Sequence, residues 1–585
     1  MNVAEARQQF QSGALGPAEK TCRLILKRDK RNADALLLLA EIYVRTDRLA
    51  DCIDMLTRAQ ALRPHDPELS YNLGVALNMG HHHAQAVQAY RQVLALAPDH
   101  LHAAMNLAAC LMAIGNALAA SKELKILRAR APDSLDIFQN YVSALIESGQ
   151  YDEALADIAQ AETAQRDHLQ TRILQGRALN GLRRYAEAAV LFEAALGEDQ
   201  TYPEAHNNLA VSLLHLGRID DALALLEHAS ALAPHAPEIQ NNLADALFHA
   251  GRFDDALACY SRAQALAPGR PEPAYNKALL LLLLGQFQDG WALFENRKLR
   301  GRDALGANDT PYPDLKHLYQ AKGRKILVSA EQGLGDTIQF CRYTTLLADL
   351  GAQVTLRVQP VLQALLATLD PRVAVVSRTD AISSAHYHAA LMSLPGLFGA
   401  TDKNIPHAKA YLTAEPARID QWGARLGETG FKIGIAWQGN KAAKVDLGRS
   451  FSLDFFRAFA DLPDLRLISL QKNEGSEDVA RCADLRIETL GADFDSGDQA
   501  FLDTAAVMSQ LDLVITSDTA TAHLAGALGR PCWVALQHVP DWRWMCARAD
   551  SPWYENTRLF RQGKRGDWAS VFADMRAALL ELRAR

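Results

Sequence analysis

Three short segments in the second half of the chain combine residue types that could bind a phosphate or move a proton. The first is EQGLGDTIQF, in which Gly333 and Gly335 permit a close backbone approach and Asp336 places a carboxylate at the start of a predicted helix. A strand-to-helix turn with Asp336 as the N-cap explains the same residues equally well. Ile338 occupies the third glycine position of the dinucleotide pattern G-x-G-x-x-G, so that pattern is not met.

The second segment, LDLVITSDTATAHLAGALG, runs from a predicted strand into a predicted helix. Ser517, Asp518 and Thr519 stand at the start of that helix, and His523 lies one turn further along. Free backbone N–H groups at a helix start, together with hydroxyl groups, bind a phosphate or a diphosphate. The segment therefore predicts an anion site that His523 could also reach.

The third segment is the loop GNKAAKVDLGRS, which follows a predicted strand and contains Lys441, Lys444 and Arg449. These cations could close over a phosphate, and a solvated basic loop explains the composition equally well. Asp493 and Asp495 have the D-x-D spacing of a metal motif, but they lie in a predicted loop. We interpret that pair as part of a solvated turn and expect no metal site.

Short β-branched or apolar runs alternate with amphipathic segments from Lys325 onward, which predicts parallel sheets covered by helices on both faces. The runs are KILVSA, QVTLRVQ, VAVVS, HAALMSL, KIGIAWQG, LRLISLQ, LDLVITSD, PCWVALQ and TRLF. A gap at about residues 395 to 431 divides them into two groups, so we expect two Rossmann-like lobes with a cleft between them. Ligands of open α/β sheets bind beyond the carboxyl ends of the strands, where the three segments above would lie.

The first half of the chain repeats with a period of 34 residues. One column holds small residues, at Cys52, Ala86, Ala120, Ala154, Ala188, Ala222, Ala256 and Gly290. A second column holds turn glycines, at Gly115, Gly149, Gly217, Gly251 and Gly285. A third holds prolines, at Pro64, Pro98, Pro132, Pro234 and Pro268. This pattern is typical of the tetratricopeptide repeat, a helix pair that buries its apolar face by stacking on its neighbours. We expect a solenoid from about residue 33 to about residue 298, preceded by a capping helix pair or half repeat.

Asparagine recurs at the sixth position of these units, at Asn72, Asn106, Asn140, Asn208, Asn242 and Asn276. One such asparagine could simply brace a neighbouring helix. Six in one register indicate an amide ladder, because an amide both donates to and accepts from a peptide backbone without reading its side chains. The column resembles that of O-linked N-acetylglucosamine transferase, whose asparagine ladder holds a substrate polypeptide, and the resemblance implies a peptide-binding groove.

Two further groups of side chains have less specific explanations. The triple histidine His81–His83 falls in a predicted turn between repeat helices, and no nearby carboxylate or cysteine completes a ligand set, so we interpret it as a solvated turn. Trp437, Trp542 and Trp544 could stack on a base or a sugar, or they could belong to the core.

Composition excludes several functional classes. The formal net charge is −7 without a long Lys/Arg block, which argues against a protein held on nucleic acid by electrostatics. The leucine run Leu279–Leu284 is too short to span a membrane. The N-terminal sequence lacks the features of a secretory signal, and the eight cysteines are scattered without a C-x-x-C pair, so we expect a cytoplasmic protein without a disulfide framework or a zinc ribbon.

From about residue 322 to 585 the chain resembles the heptosyltransferase-type glycosyltransferases of the GT-B fold. The resemblance is carried by EQGLGDTIQF, IAWQGN, ISLQ and above all DLVITSDTATAHLAGALGRPCWVAL. It implies that Asp336 is the general base that acts on the acceptor, that Asp518, Thr519 and His523 hold the nucleotide diphosphate, and that Gln471 lies near the nucleotide. The segment VPDWRWMCARADSPWYENTRLFRQ has no counterpart that we can match in simpler members.

The two halves together resemble bacterial flagellin glycosyltransferases, in which a tetratricopeptide array captures flagellin and a GT-B module transfers a sugar to it. This resemblance rests on the architecture and on Trp291-x-x-Phe294-Glu295 at the end of the array. It implies a polypeptide acceptor, flagellin, and a nucleotide-activated sugar as the donor. The heptosyltransferase resemblance favours ADP-heptose and the flagellin resemblance favours a CMP-linked nonulosonic acid, and no residue separates the two.

We therefore expect an α solenoid over residues 1–300, a linker over 301–323, and an α/β GT-B module with an N-terminal lobe at 324–415 and a nucleotide-sugar-binding lobe at 431–585. The expected activity is inverting transfer of a sugar to Ser or Thr of a polypeptide without a metal or other cofactor. The expected donor-binding residues are Gly333, Gly335, Lys444, Arg449, Gln471, Ser517, Asp518, Thr519 and His523. Two alternatives stay open: a heptosyltransferase-like enzyme of lipopolysaccharide or capsule assembly, and an adaptor whose GT-B module is not catalytic.

Overall fold

The structure, a computed structural model, describes residues 2–300, 310–382, 384–406, 410–439, 448–472 and 474–584. The chain forms two compact units, Met1–Leu216 and Gly217–Arg585. The boundary between them lies inside the predicted repeat region, so the last repeat helices share a compact unit with the β-sheets. No helix in the described ranges has the length and apolar character needed to cross a membrane.

The first unit is built from helix pairs. A pair formed by α1 (Val3–Gln11) and α2 (Leu15–Arg28) precedes the 34-residue repeats. The remaining helices are α3 (Ala33–Arg45), α4 (Leu49–Leu62), α5 (Pro67–Met79), α6 (His83–Leu96), α7 (Leu101–Ala113), α8 (Ala117–Arg130), α9 (Leu135–Glu147), α10 (Tyr151–Gln160), α11 (Thr163–Arg166), α12 (Leu169–Gly181), α13 (Tyr185–Glu198) and α14 (Pro203–His215).

The sequence period is reproduced as helix spacing. The first helix of each repeat begins 34 residues after the previous one, from α3 to α14. The small-residue column is buried because the two helices of a pair contact each other there, and Ala86, Ala120 and Ala188 have no exposed surface. Gly115 and Gly149 have positive φ angles of 76° and 79° in the turns between helices, a conformation that favours glycine.

One second helix of a repeat is shortened where the first of the missing prolines would stand, although the 34-residue spacing is kept. Helix α10 ends at Gln160, earlier than its equivalents, and the short helix α11 follows it. Gln165 of α11 is buried, donates through Nε2 to the Pro132 carbonyl oxygen at 2.9 Å and accepts from Arg128 at 3.3 Å. These contacts satisfy the amide of a residue that would otherwise be costly to bury.

The second unit begins with repeat helices and continues into two sheets. The repeat helices are α15 (Ile219–Leu232), α16 (Pro237–His249), α17 (Phe253–Leu266), α18 (Pro271–Leu283) and α19 (Phe287–Phe294), and a 3₁₀ turn follows at Glu295–Leu299. The first sheet has the strand order β3-β2-β1-β4 and the second has the order β6-β5-β7-β8-β9, with every pairing parallel.

Within the residues that the structure describes, nine strands overlap the nine runs predicted from the sequence, which confirms the parallel α/β character of this region. They are β1 (Lys325–Ser329), β2 (Gln353–Val358), β3 (Val373–Ser377), β4 (Tyr387–Ala390), β5 (Phe431–Ala436), β6 (Leu465–Ser469), β7 (Leu513–Ser517), β8 (Cys532–Leu536) and β9 (Thr557–Arg561). Strands β7 and β8 are buried along their whole length, as expected for central parallel strands covered on both faces.

Helices connect and cover these strands. They are α20 (Leu334–Phe340), α21 (Arg342–Asp349), α22 (Gln363–Leu366), α23 (Leu394–Leu397), α24 (Pro416–Leu426), α25 (Asp478–Arg481), α26 (Leu502–Met508), α27 (Ala520–Ala527) and α28 (Trp568–Ala584). Helix α28 packs on the second sheet through Phe572, whose ring lies 5.2 Å from those of Phe451 and Phe456. Helices α20 and α27, which begin after strands of different sheets, pack against each other.

Candidate active site

A cavity of about 1000 Å³ lies in the second unit, where strands of both sheets end. Its walls include the segments that follow β1, β5, β6 and β7, represented by Gly333, Gln438, Gln471 and Asp518. The carboxyl ends of parallel strands are the usual binding position in open α/β sheets.

Most of the residues that the sequence predicts for the site line this cavity. Its walls contain Gly333, Gly335, Asp336, Arg449, Gln471, Asp518, Thr519 and His523. Ser517 is the last residue of β7 and is fully buried rather than part of the cavity wall. Lys441 and Lys444 lie outside the described residues.

Asp336 stands in the first turn of α20 with both carboxylate oxygens in contact. Its Oδ2 accepts from the Gly333 N–H at 2.8 Å, the contact of a helix cap, and its Oδ1 accepts from Nη2 of Arg543. A carboxylate has roughly four acceptor positions, so these two contacts leave capacity for a further proton donor. Burial raises the pKa of Asp336 above its ordinary value, and the Arg543 charge opposes that rise.

Arg543 is a residue of the site that the sequence analysis missed. Its guanidinium donates from Nε to Gln339 at 2.8 Å and from Nη1 to Asp541 at 2.8 Å, in addition to its contact with Asp336. The side chain is buried and lies 4.4 Å from the ring of Trp542. The only signal in the sequence was the D-W-R-W composition of the segment that had no counterpart in simpler relatives.

The start of α27 forms the part of the cavity wall beside the start of α20. Thr519 precedes the helix, and its hydroxyl lies 3.2 Å from that of Thr516. His523 is buried, contacts the Tyr554 hydroxyl through Nδ1 at 2.9 Å and stacks on Trp544. Burial and the nearby arginines hold the pKa of His523 well below its usual range, so it lines the cavity as a neutral imidazole.

The carboxyl group of Asp518 is the second acidic group of the cavity with a perturbed pKa. Burial, reinforced by the negative charge of Asp541, raises that pKa to about 6. Arg449 and Arg543 are the cations that act on it in the opposite direction. Acidic and basic side chains are therefore interleaved on the wall that the sequence predicts to hold a diphosphate.

Gly335 is required by the approach of α20 to α27. A Cβ atom at this position would lie 2.9 Å from Cδ2 of His523 and 3.3 Å from Cα of Ala520. Because the second of these atoms belongs to the backbone, a larger residue would force the two helix starts apart. The glycine loop thereby sets the distance between Asp336 and the predicted diphosphate site.

Gln471 has a structural role that the sequence did not indicate. Its Oε1 accepts from the backbone N–H groups of Trp437 and Gln438 at 3.1 Å each. Its Nε2 donates to the carbonyl oxygens of Gln438 and Glu474 at 2.9 and 2.8 Å. The side chain lines the cavity, but its amide braces the loops that follow β5 and β6.

The structure places Trp437 and Trp544 in the core, whereas Trp542 also lines the cavity. Trp437 and Trp544 are fully buried, and Trp542 is 5 % exposed. Trp437 donates through Nε1 to Asp478 at 3.1 Å, and Trp542 packs against Trp291 and Phe340.

The D-x-D pair is held by other protein groups. Asp493 pairs with Arg425 at 2.7 Å, and Asp495 accepts from the N–H of Asp503 at 2.8 Å and from the Thr504 hydroxyl. These contacts tie the two carboxylates to different neighbours. The histidines of the predicted turn are also accounted for, since His81 has a positive φ of 58° and His83 contacts Asn78 at 2.9 Å.

The last repeat contributes a wall of the same cavity. Tyr275 and Leu279 of α18, together with Phe294 at the end of α19, line it. Tyr275 directly precedes Asn276, the last member of the asparagine column. Tyr275 and Leu279 lie one turn apart and share the face of α18 that lines the cavity, whereas the Asn276 amide is directed to α16.

The turn after α19 anchors the loop that leads to Asp336. Arg297 forms two 2.8 Å contacts with the carboxylate of Glu331, which stands just before the glycine loop, and a 2.7 Å contact with Ser393. Arg297 and Glu331 are 3 % and 4 % exposed, so the ion pair is buried. Trp291 adds a hydrogen bond from Nε1 to the Ala400 carbonyl oxygen at 2.8 Å.

The asparagine column differs in exposure along the chain. Asn72 and Asn140 are exposed, and the other four members are half-buried. Asn106 lies 3.5 Å from the Tyr71 hydroxyl. Asn276 donates to Asn241 and to Asp245, at 3.3 Å each. The most accessible amides of the column are therefore in the first unit.

Comparison with known proteins agrees with the helix spacing. Residues 142–205 and 207–271 match one family model, and residues 9–75 and 81–139 match another, both described as tetratricopeptide repeat. The chain is 26% identical over 577 residues to Protein FlbA of Caulobacter vibrioides, an alignment that covers 93% of this chain and 88% of that protein.

Two solved structures resemble part of the chain. One is a tetratricopeptide repeat protein from Parabacteroides merdae, with 14% identity, coverage of 43% of this chain and 98% of that chain, and a TM-score of 0.40. The other is MamA protein, with 21% identity, coverage of 31% and 90%, and a TM-score of 0.24. On the evidence of the two family models, the predicted repeats are confirmed: between residues 9 and 271 this chain is built from tetratricopeptide repeats.

Proposed function

We propose that this protein is a protein O-glycosyltransferase that transfers a sugar from a nucleotide-activated donor to Ser or Thr of a polypeptide bound by the repeats. One observation carries the proposal. The cavity that contains Asp336 and the start of α27 is also walled by Tyr275 and Leu279 of the last repeat. A polypeptide that left the repeats along Tyr275 and Leu279 of α18 would bring a side-chain hydroxyl into the cavity that contains Asp336.

The proposed reaction inverts the configuration at the anomeric carbon. The acceptor hydroxyl oxygen attacks that carbon opposite the phosphate and forms the new C–O bond. The bond from the carbon to the phosphate oxygen breaks, and its electron pair leaves with the nucleotide. The proton of the acceptor hydroxyl passes to the Asp336 carboxylate, and a positioned base of this kind typically contributes about 10²- to 10⁴-fold to the rate.

Groups at the start of α27 would bind the departing phosphate. The first turn of α27 offers backbone N–H groups whose dipoles favour an anion, and the Thr519 hydroxyl stands beside them. Arg449 and Arg543 line the same cavity and can compensate the developing negative charge. We assign no cofactor, because the nucleotide sugar is itself a substrate.

The polypeptide acceptor is proposed to be flagellin, on the resemblance of the two halves of the chain to flagellin glycosyltransferases of the GT-B fold. The cytoplasm remains the expected location, since both a nucleotide sugar and newly made flagellin are found there. The tetratricopeptide repeats support a polypeptide partner in general, because stacked helix pairs present an extended binding surface.

The test is a transfer reaction with the purified full-length chain, flagellin and a panel of sugars linked to ADP, UDP, GDP or CMP. We expect one donor to give a mass increment on Ser or Thr of flagellin. A thermal-shift series with the four free nucleotides identifies the donor class independently. Absence of any increment with every donor contradicts the proposal, and transfer to a lipid-linked glycan without polypeptide supports the lipopolysaccharide alternative instead.

Alanine substitutions in the asparagine column should weaken acceptor binding without unfolding the repeats. The variants are Asn72→Ala, Asn106→Ala and Asn140→Ala, made singly and combined in a triple variant. Each substitution removes an amide that would hydrogen-bond to the acceptor backbone, a contact worth about 1 kcal/mol. We expect the Kd for flagellin to rise about fivefold per residue, measured by calorimetry. Alanine at the exposed Glu68, on the same helix as Asn72, is the control, and an unchanged Kd in the triple variant would remove the column from the acceptor site.

A further inference from the structure

Arg543 connects Asp336 to the region of the second sheet. It follows β8 in the chain, and its guanidinium reaches two residues of α20, Gln339 and Asp336, which follow β1 of the first sheet. The contacts span more than 200 residues of sequence. The position of the Asp336 carboxylate is therefore fixed from two sides, by Gly333 on its own helix turn and by Arg543 across the cavity.

Gln339 and Asp541 in turn hold the guanidinium. Nε donates to Gln339 and Nη1 donates to Asp541, and the backbone N–H of Arg543 also donates to Asp541 at 3.0 Å. The planar guanidinium is further covered by Trp542. A guanidinium held at each of its nitrogens has a fixed orientation, so it can hold its remaining partner in one orientation too.

The charges that face Asp336 come from several elements. Arg543 and Asp541 face it from the turn after β8, Asp518 and His523 from the end of β7 and from α27, and Arg449 from the loop after β5. His523 is neutral, for the reason given above. Glu474, Asp495 and Lys472 also line the cavity, so five carboxylates share its described wall with two arginines and a lysine. Arg543 is the one of these cations that donates to Asp336.

We propose that Arg543 is a positioning residue for the base, which fixes both the orientation and the ionised state of the Asp336 carboxylate. The inference rests on the proposed function, in which Asp336 accepts the acceptor proton. The physical reason is that Asp336 is half-buried beside Asp541, and both circumstances favour its protonated, inactive form. Arg543 provides the opposing interaction, since a nearby cation stabilises a carboxylate.

Two substitutions that each neutralise a charged group beside Asp336 should shift the pKa of Asp336 in opposite directions. Arg543→Gln removes the cation, so the pKa of Asp336 should rise, by about one to three pH units. The rate of transfer then increases with pH around a higher midpoint than in the wild type. Asp541→Asn removes a negative charge but keeps an oxygen acceptor, so the same midpoint should move to lower pH. Arg543→Lys retains a cation and should restore most of the wild-type midpoint.

The experiment measures the midpoint in two ways on the full-length chain. The first is the pH profile of kcat for sugar transfer. The second is the titration of the Asp336 carboxyl carbon by NMR in protein labelled with ¹³C at the aspartate carboxyl, assigned by its loss in Asp336→Asn. If Arg543 and Asp541 served only in folding, Arg543→Gln and Asp541→Asn would both transfer sugar more slowly. The midpoints of their pH profiles would then not move in opposite directions.

The outcomes separate this inference from the proposed function. If the wild type transfers sugar but Arg543→Gln changes only the KM for the donor, Arg543 is a donor ligand and the positioning role is wrong. If the wild type transfers no sugar, the proposed function fails, and the carboxyl titration still decides whether Arg543 controls Asp336. If Arg543→Gln does not fold, Asp541→Asn and Arg543→Lys still test the predicted directions of the shift in the pKa of Asp336. An unmoved midpoint in Asp541→Asn overturns the inference.

Discussion

Replacing Asp336 with asparagine is expected to lower kcat for sugar transfer by about 10²- to 10⁴-fold, because an amide cannot accept the proton of the acceptor hydroxyl. The side chain keeps its size and one oxygen, which can still accept from the Gly333 N–H and preserve the start of α20. Binding of flagellin and of the free nucleotide should therefore stay close to the wild type. The rate is measured by mass spectrometry of flagellin, and the two Kd values by calorimetry.

Asp493→Asn is the matched control for this substitution. Asp493 is an exposed aspartate that pairs with Arg425 and does not line the described cavity wall. We expect its asparagine variant to transfer sugar at the wild-type rate. If Asp336→Asn also retained the wild-type rate, the base would have to be sought among the other carboxylates of the cavity, of which Asp518 is the first.

Neutralising Glu331 is expected to give the largest loss of stability. In Glu331→Gln the guanidinium of Arg297 stays buried without its bidentate partner, and breaking a buried ion pair from one side costs about 3 to 5 kcal/mol. Glu295 remains 2.7 Å from Nη1 of Arg297, so we expect a loss of about 3 kcal/mol, at the lower end of that range. All eight tryptophans lie in the second unit, so denaturant unfolding followed by tryptophan fluorescence reports on that unit.

A double variant distinguishes an unpaired charge from lost packing. Arg297→Met combined with Glu331→Leu removes both charges and keeps apolar volume, and it should be destabilised less than Glu331→Gln alone. Asp493→Asn breaks an exposed ion pair and should lower the free energy of unfolding by less than about 1 kcal/mol. Equal losses in the single and double variants would mean that packing, rather than the unpaired charge, explains the effect.

The repeats could be predicted closely because their signal is redundant. Helix spacing is fixed by a column of small residues and by turn glycines, and each appears in many units. The deviation at α10 and α11 was visible only as a missing proline, since the new partners of Gln165 depend on tertiary packing. The strands were predictable for a different reason: buried parallel strands are continuous apolar runs bounded by polar turns.

The candidate site could be predicted mainly from the segments that run from a strand into the next helix or loop. Asp336, Asp518 and Thr519 lie in such segments, and the cavity contains all three. Arg543 could not be found in this way, because it lies in the short 3₁₀ helix Trp542–Trp544 and two of its partners lie on the distant helix α20. The role of Gln471 was hidden for a similar reason, since its hydrogen bonds go to backbone groups that have no sequence signature.

The burial of Arg297 against Glu331 has a consequence for anyone who would graft this catalytic region onto a different set of repeats. A graft that began at β1 would leave Glu331 without its arginine and would remove Tyr275 and Phe294 from the cavity wall. The smallest transplantable piece therefore begins at Gly217 and carries α15 to α19 with it. Redesign of acceptor preference by exchange of repeats is confined to the helices before that point.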